Sequence, residues 1–92
     1  MLVPTNADLG RAIRRLRHAR HVTIEDLAHT ADMHPTYLSG IERGIRNPTW
    51  DKLASLADAL DIPVAAIVQY AEAEVQLAER MSFIRSEFGL SE

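Results

Sequence analysis

Helix-start signals recur at short intervals along the first half of this chain. Thr5 with Asp8 reads as a capping box, in which hydroxyl and carboxylate each bond the other's backbone N–H. Thr23 with Asp26 repeats it. Pro35 suits the first turn of a helix, where its missing N–H costs nothing. Thr49 follows the turn "RNPT" and caps a further helix, and Pro63 starts another. A chain restarted this often forms several short helices. Between the starts, apolar residues recur three and four apart, as in Leu9, Ile13 and Leu16, or Leu53, Leu56, Ala57 and Leu60. No segment alternates with period two. The fold class expected is all-α.

From Val68 to Phe88 the pattern changes, with neither Pro nor Gly before Gly89. Apolar residues fall at Val68, Ala71, Val75 and Ala78, then at Leu77, Met81, Ile84 and Phe88. The other side carries Glu72, Glu74, Glu79, Arg80, Arg85 and Glu87. Five helices already close a small core, so this sixth, amphipathic helix needs a cover for its apolar face: its own core or another chain. Residues 1–67 therefore read as the domain, and residues 68–92 as an appended C-terminal helix.

Composition narrows the function. The chain has 92 residues, 47% of them apolar, which allows one small core. Without Cys it has neither disulfides nor a cysteine zinc site. The four His do not share a metal-ligand spacing, and no metal or cofactor is expected. No run reaches membrane-spanning length and no signal-peptide pattern opens the chain, which points to a cytoplasmic protein with no membrane partner. There is no nucleophile–base arrangement, phosphate-cradling Gly loop or carboxylate pair, so an enzyme is not expected. Net charge is −3, yet residues 1–50 hold seven Arg against five acids, and residues 51–92 hold three basic residues against eight acids. Such an asymmetry can hide a basic face inside an acidic total.

The second and third helices fit a helix-turn-helix. That unit needs a small residue in its first helix, a left-handed residue in the turn and an apolar residue inside its second helix. Ala28, Asp32 and Leu38 stand at the required spacing, and Leu27, Ala31, Met33 and Ile41 fill the remaining inward positions. The stretch "LGRAIRRLRHARHVTIEDLAHTADMHPTYLSGIERGIRNPTWDKLASLADALDIPVAAI" resembles the Cro/phage-repressor type helix-turn-helix family, also called the XRE family. "IRRLR", "IEDLA", "YLSGIERGIRNPT" and "LADALDI" are its most specific parts.

The resemblance implies a compact five-helix, repressor-like domain that binds double-stranded operator DNA, usually as a homodimer, and regulates transcription. Its recognition helix, about residues 35–43, would enter the major groove. The family's base-reading positions fall on Pro35, Thr36, Ser39 and Gly40, whose small side chains would let the backbone come close to base edges. Contacts to the DNA backbone would come from Ile24, Tyr37, Arg43, Arg46, Asn47 and Arg14. Arg17 and Glu42 match an ion pair joining the first and third helices. Trp50 corresponds to a position that packs as the anchor of the fourth helix. Three residues depart from the family's habit. Ile24 replaces a phosphate-binding Gln, leaving only its N–H. Pro35 replaces a long polar side chain, which shifts sequence reading to Thr36, Ser39 and DNA shape. His21 replaces a Gly at the end of the first helix. Val75, Ala78, Met81, Ile84 and Phe88 form the expected dimerisation face. The alternative is an antitoxin-like or anti-repressor-like module, which would hold a protein partner through residues 68–92 and autoregulate its own promoter.

Overall fold

A computed structural model describes residues 3–89. Five helices account for the regular structure: α1 (Asn6–Ala19), α2 (Ile24–Thr30), α3 (Pro35–Glu42), α4 (Trp50–Ala59) and α5 (Val64–Glu87). There is no strand among the described residues. Their starts follow local chemistry. Thr5 and Thr23 each form a full capping box, and Thr49 accepts the N–H of Lys52. Helix α3 is capped by His34, whose Nδ1 accepts the N–H of Thr36 at 3.0 Å, with Pro35 at the first helical position.

Three helix ends share one device. His21, Asp32 and Asp61 take φ of 56°, 56° and 57°. Each follows a helix end in a Schellman turn, in which the next residue's N–H reaches back to a carbonyl of the last helical turn. Val22 bonds Arg17, Met33 bonds Ala28 and Ile62 bonds Ala57. Those three bonding residues are apolar, pack against the core and lead directly into the next N-cap. Gly44, at φ 78°, ends α3, and a side chain there would meet Ala7.

The core gathers Ile13, Leu38, Ile41, Leu56, Leu60 and Ile67, all fully buried. Burying each contributes about 1.5–3 kcal/mol. Ala28 is also fully buried, and its small side chain lets α2 and α3 cross closely. Gly10 does the same for α1 and α3: a Cβ there would lie 2.5 Å from the Glu42 carbonyl oxygen and against that of Ile41.

Two expectations change at the C-terminal end. The fifth helix and the appended helix are one, the 24-residue α5. Pro63 is its N-cap, and nothing after it interrupts helical hydrogen bonding before Gly89. The boundary expected at 67/68 therefore falls inside a helix. Glu74, read as solvent-facing, is buried at 5% exposure. It accepts from Arg15, and Arg11 Nε lies 3.4 Å away, so α1 and α5 are clamped by charge as well as by Ile67 and Ala71. Beyond Val75, α5 leaves the domain, and the molecule extends 45 × 23 × 22 Å. No single helix among the described residues is long and apolar enough to cross a membrane.

Candidate nucleic-acid interface

Helices α2 and α3 meet at the Asp32 turn, and a concavity of about 620 Å3 opens between the start of α2 and the first turns of α3. Pro35, Thr36 and Ser39 line it from α3 and Ile24 from α2. Thr36 is exposed, and Pro35 and Ser39 are half-buried. The residues singled out for base reading thus share one concave surface, with Gly40 as the exception. Gly40 is buried, and a Cβ there would lie 2.6 Å from Cγ of Arg46. Its missing side chain makes room for the stem of Arg46, not for a base edge. The loop is held there by N–H bonds from Ile45 and Arg46 to the Gly40 carbonyl, at 3.0 and 3.2 Å.

Five further residues line the concavity beyond the expected contacts: Arg17, His21, Val22, Thr23 and Glu25. Thr23 was legible only as a cap. Glu25 places a carboxylate at the rim, which narrows where a phosphate can approach. Ile24 is half-buried, and as the first residue of α2 its N–H has no acceptor within the helix. Tyr37 is half-buried and packs against the core, so little of its ring is free for DNA.

The arginines separate into two groups. Arg17 is buried and donates from Nε and Nη2 to the Glu42 carboxylate, at 2.7 and 3.0 Å. Its Nη1 donates to the Val22 carbonyl at 3.0 Å. The bond to Glu42 raises the pKa of Arg17 further, against the opposing effect of burial. Arg14 Nε lies 3.4 Å from the same carboxylate, so this candidate backbone contact, its side chain half exposed, already has a carboxylate partner within the protein. Arg11 and Arg15 are held by Asp8 and Glu74. Of the seven Arg in the first half, four are thus occupied. Arg43 and Arg46 remain exposed at the foot of α3, with no ion pair among the described residues, and Asn47 is exposed beside them. The positive excess of the first half therefore reaches solvent chiefly next to the concave face and at Arg20.

Trp50 departs from its expected place. It is 68% exposed, because α4 turns Leu53, Leu56, Ala57 and Leu60 inward and Trp50, at its first position, lies beyond them. On α5, the five residues expected to form a dimer face do not share one. Val75 is half-buried on the flank toward the domain, whereas Met81, Ile84 and Phe88 lie with Leu77 on an exposed side.

Comparison with known proteins gives a concordant picture. The family model described as "Helix-turn-helix domain" matches residues 8–68. An HTH-type transcriptional regulator of Mycobacterium tuberculosis is 37% identical over 76 residues, covering 83% of this chain and 53% of that protein. The immunity repressor protein of Bacillus phage phi105 is 33% identical over 96 residues, covering 91% of this chain and 67% of its own length. Among solved structures, the clp gene regulator ClgR of Corynebacterium glutamicum superposes with a TM-score of 0.79 at 32% identity, over 88% of this chain and 87% of that one. The restriction-modification controller protein C.Esp1396I, solved as a tetramer with its 35 base-pair operator, gives 0.71 at 28% identity, over 77% and 93%. The chain spans about half the length of the mycobacterial relative.

Proposed function

The chain belongs to the helix-turn-helix family of transcriptional regulators, and from that premise we propose that it binds duplex operator DNA in a sequence-specific manner and works as a two-fold dimer. The observation that carries this reading is the pairing of a small, concave reading face with unneutralised cations. Thr36 and Ser39 line the concavity, and Arg43 and Arg46 are exposed without a carboxylate partner at the foot of the same helix. In the proposed complex, α3 lies in the major groove, and the Thr36 and Ser39 hydroxyls meet base edges. Pro35 makes apolar contact only. Arg43, Arg46, Asn47 and the Ile24 N–H face phosphates, while Arg14 and Arg17 brace α3 through Glu42. Gly40 seats Arg46.

A domain of this size reads few base pairs, so pairing two of them one DNA turn apart supplies the missing specificity. The exposed apolar side of α5 is the surface for that pairing. The related proteins are regulators and repressors by name, which favours this reading over an interaction module built around a protein partner.

Two measurements test the proposal. Each phosphate contact contributes about −0.9 to the slope of log K against log salt. Arg46→Ala is expected to weaken all sequences about equally and to flatten that slope by about one contact. An unchanged slope would move the DNA surface elsewhere. Thr36→Ala is expected to reorder the preferred sites in a binding-site selection, with an effect of ~1 kcal/mol. The same ranked motif from both proteins would remove Thr36 from base reading.

A further inference from the structure

The buried and exposed apolar residues of α5 follow two different lines. At about 100° per residue, Ile67, Ala71 and Glu74 centre on one face, and Tyr70, Leu77, Met81, Ile84 and Phe88 centre roughly 80° around the helix from it. The first group is buried within the domain, and the second is between 37% and 72% exposed. The exposed line repeats with the seam spacing of paired helices. Its two ends are unlike. At the N-terminal end, Tyr70 joins Leu16, Arg20, Leu60 and Ile62 around a groove of about 320 Å3. At the C-terminal end, Phe88 stands out at 72% exposure.

We infer that two copies of this chain pair through the exposed line with their α5 helices antiparallel, so that Phe88 of each copy fills the Leu16–Leu60–Ile62–Tyr70 groove of the other. The inference rests on the dimer reading above and adds its register. A two-fold pairing sets residue i against j and j against i. The midpoint of the line falls between Leu77 and Met81, and a two-fold axis through it carries Phe88 onto Tyr70. A parallel pairing would set hollow against hollow and Phe88 against Phe88, leaving both grooves unfilled. Charge agrees with the antiparallel choice. Arg20, on the groove wall, has no carboxylate partner among the described residues, and neither does Glu87, beside Phe88, have a cation. The pairing brings them together. It also opposes the two helix dipoles, which favours antiparallel neighbours.

The absence of Cys makes disulfide trapping a clean test. Positions 70 and 88 lie ~27 Å apart along one helix, whereas a disulfide spans at most about 7 Å between Cα atoms. A bond between them therefore joins two copies. The double variant Tyr70→Cys, Phe88→Cys is expected to give a covalent dimer on mild oxidation, and each single variant a monomer on a non-reducing gel. Self-crosslinking of the Tyr70→Cys variant would establish parallel pairing and overturn the register while leaving the dimer intact. A wild-type chain that is dimeric by light scattering, with a double variant that does not crosslink, would place the interface elsewhere. A wild-type monomer at high micromolar concentration would end both the register and the dimer reading. As a second measurement, Phe88→Ala is expected to weaken the dimer about tenfold or more, the effect of losing a seated aromatic anchor. Phe83→Ala, also exposed but on another side of α5, is expected to leave it within about twofold, because residues outside the buried centre contribute little. Equal effects of the two would overturn the seat.

Discussion

Glu42 joins three segments at the level of a single residue. Its carboxylate is fully buried and receives Arg17 twice and Arg14 once, and Arg17 in turn holds the Val22 carbonyl of the α1–α2 turn. Removing it leaves Arg17 charged and without its carboxylate partner at 8% exposure. Glu42→Ala is therefore expected to cost ~3 kcal/mol in urea unfolding, and more than Glu42→Gln, which keeps the size and an acceptor. Gly10 is the opposite case, a residue whose value is what it lacks. Gly10→Ala would push a methyl into the Glu42 carbonyl and is expected to destabilise by about 2 kcal/mol or more. Asp8 sets a pH response. Burial alone would raise its pKa, but hydrogen bonds from the Thr5 N–H and hydroxyl and from Arg11 outweigh that, so it falls below 3.8. The folded state thus binds this proton less tightly than the unfolded chain. The stability it supplies is complete above the unfolded value and is lost as pH falls through the lower folded one. Asp8→Asn is expected to flatten the decline of thermal midpoint from about pH 5 downward, and an equally steep decline would reassign it to other carboxylates.

Among the elements, the three Schellman turns hold the clearest reserve of stability. His21, Asp32 and Asp61 occupy left-handed backbone that costs an L-residue about 1–2 kcal/mol, less for Asp. Glycine would remove that cost, offset in part by its freer unfolded chain. His21→Gly and Asp61→Gly are each expected to add about 0.5–1 kcal/mol, and to add independently because their turns are separate. A loss in either would show that the native side chain makes a contact that matters. These elements were legible because their signals are local: a hydroxyl three residues before a carboxylate, a proline at a first turn, an Asp at the required distance from Ala28. What escaped was non-local. Glu74 reads as a surface charge until Arg11 and Arg15 arrive from ~60 positions away, and helical period alone carries no trace of that. Gly40 reads as a gap left for DNA until Arg46 folds back over it. Trp50 reads as an anchor by its apolar character, yet the inward line of α4 ends before reaching it. The proposed base-reading set was readable only through the family resemblance, since Thr and Ser on a helix surface have no distinctive pattern of their own.

For the whole molecule, the decisive arrangement is charge sorting combined with a protruding helix. Acids inside the domain bind four arginines and leave Arg20, Arg43 and Arg46 without a carboxylate, the last two both at the foot of α3, so a chain of net charge −3 can still meet a polyanion at one face. The overall negative charge should then repel DNA presented to any other face. Helix α5 runs unbroken from the core, at Ile67, to its projecting end, at Glu87. It offers no joint at which the proposed reading head could swing relative to the proposed pairing surface. Such a molecule is a ruler. One base pair inserted at the operator's centre turns the half-sites by about a tenth of a turn, and affinity in a gel-shift titration is expected to collapse toward that of a half-site. Inserting about ten base pairs restores the facing but moves the half-sites about 34 Å further apart. A tethered pair of heads would recover there; this one is expected not to. The fixed length of one helix would thus set which spacings in a genome can serve as its address.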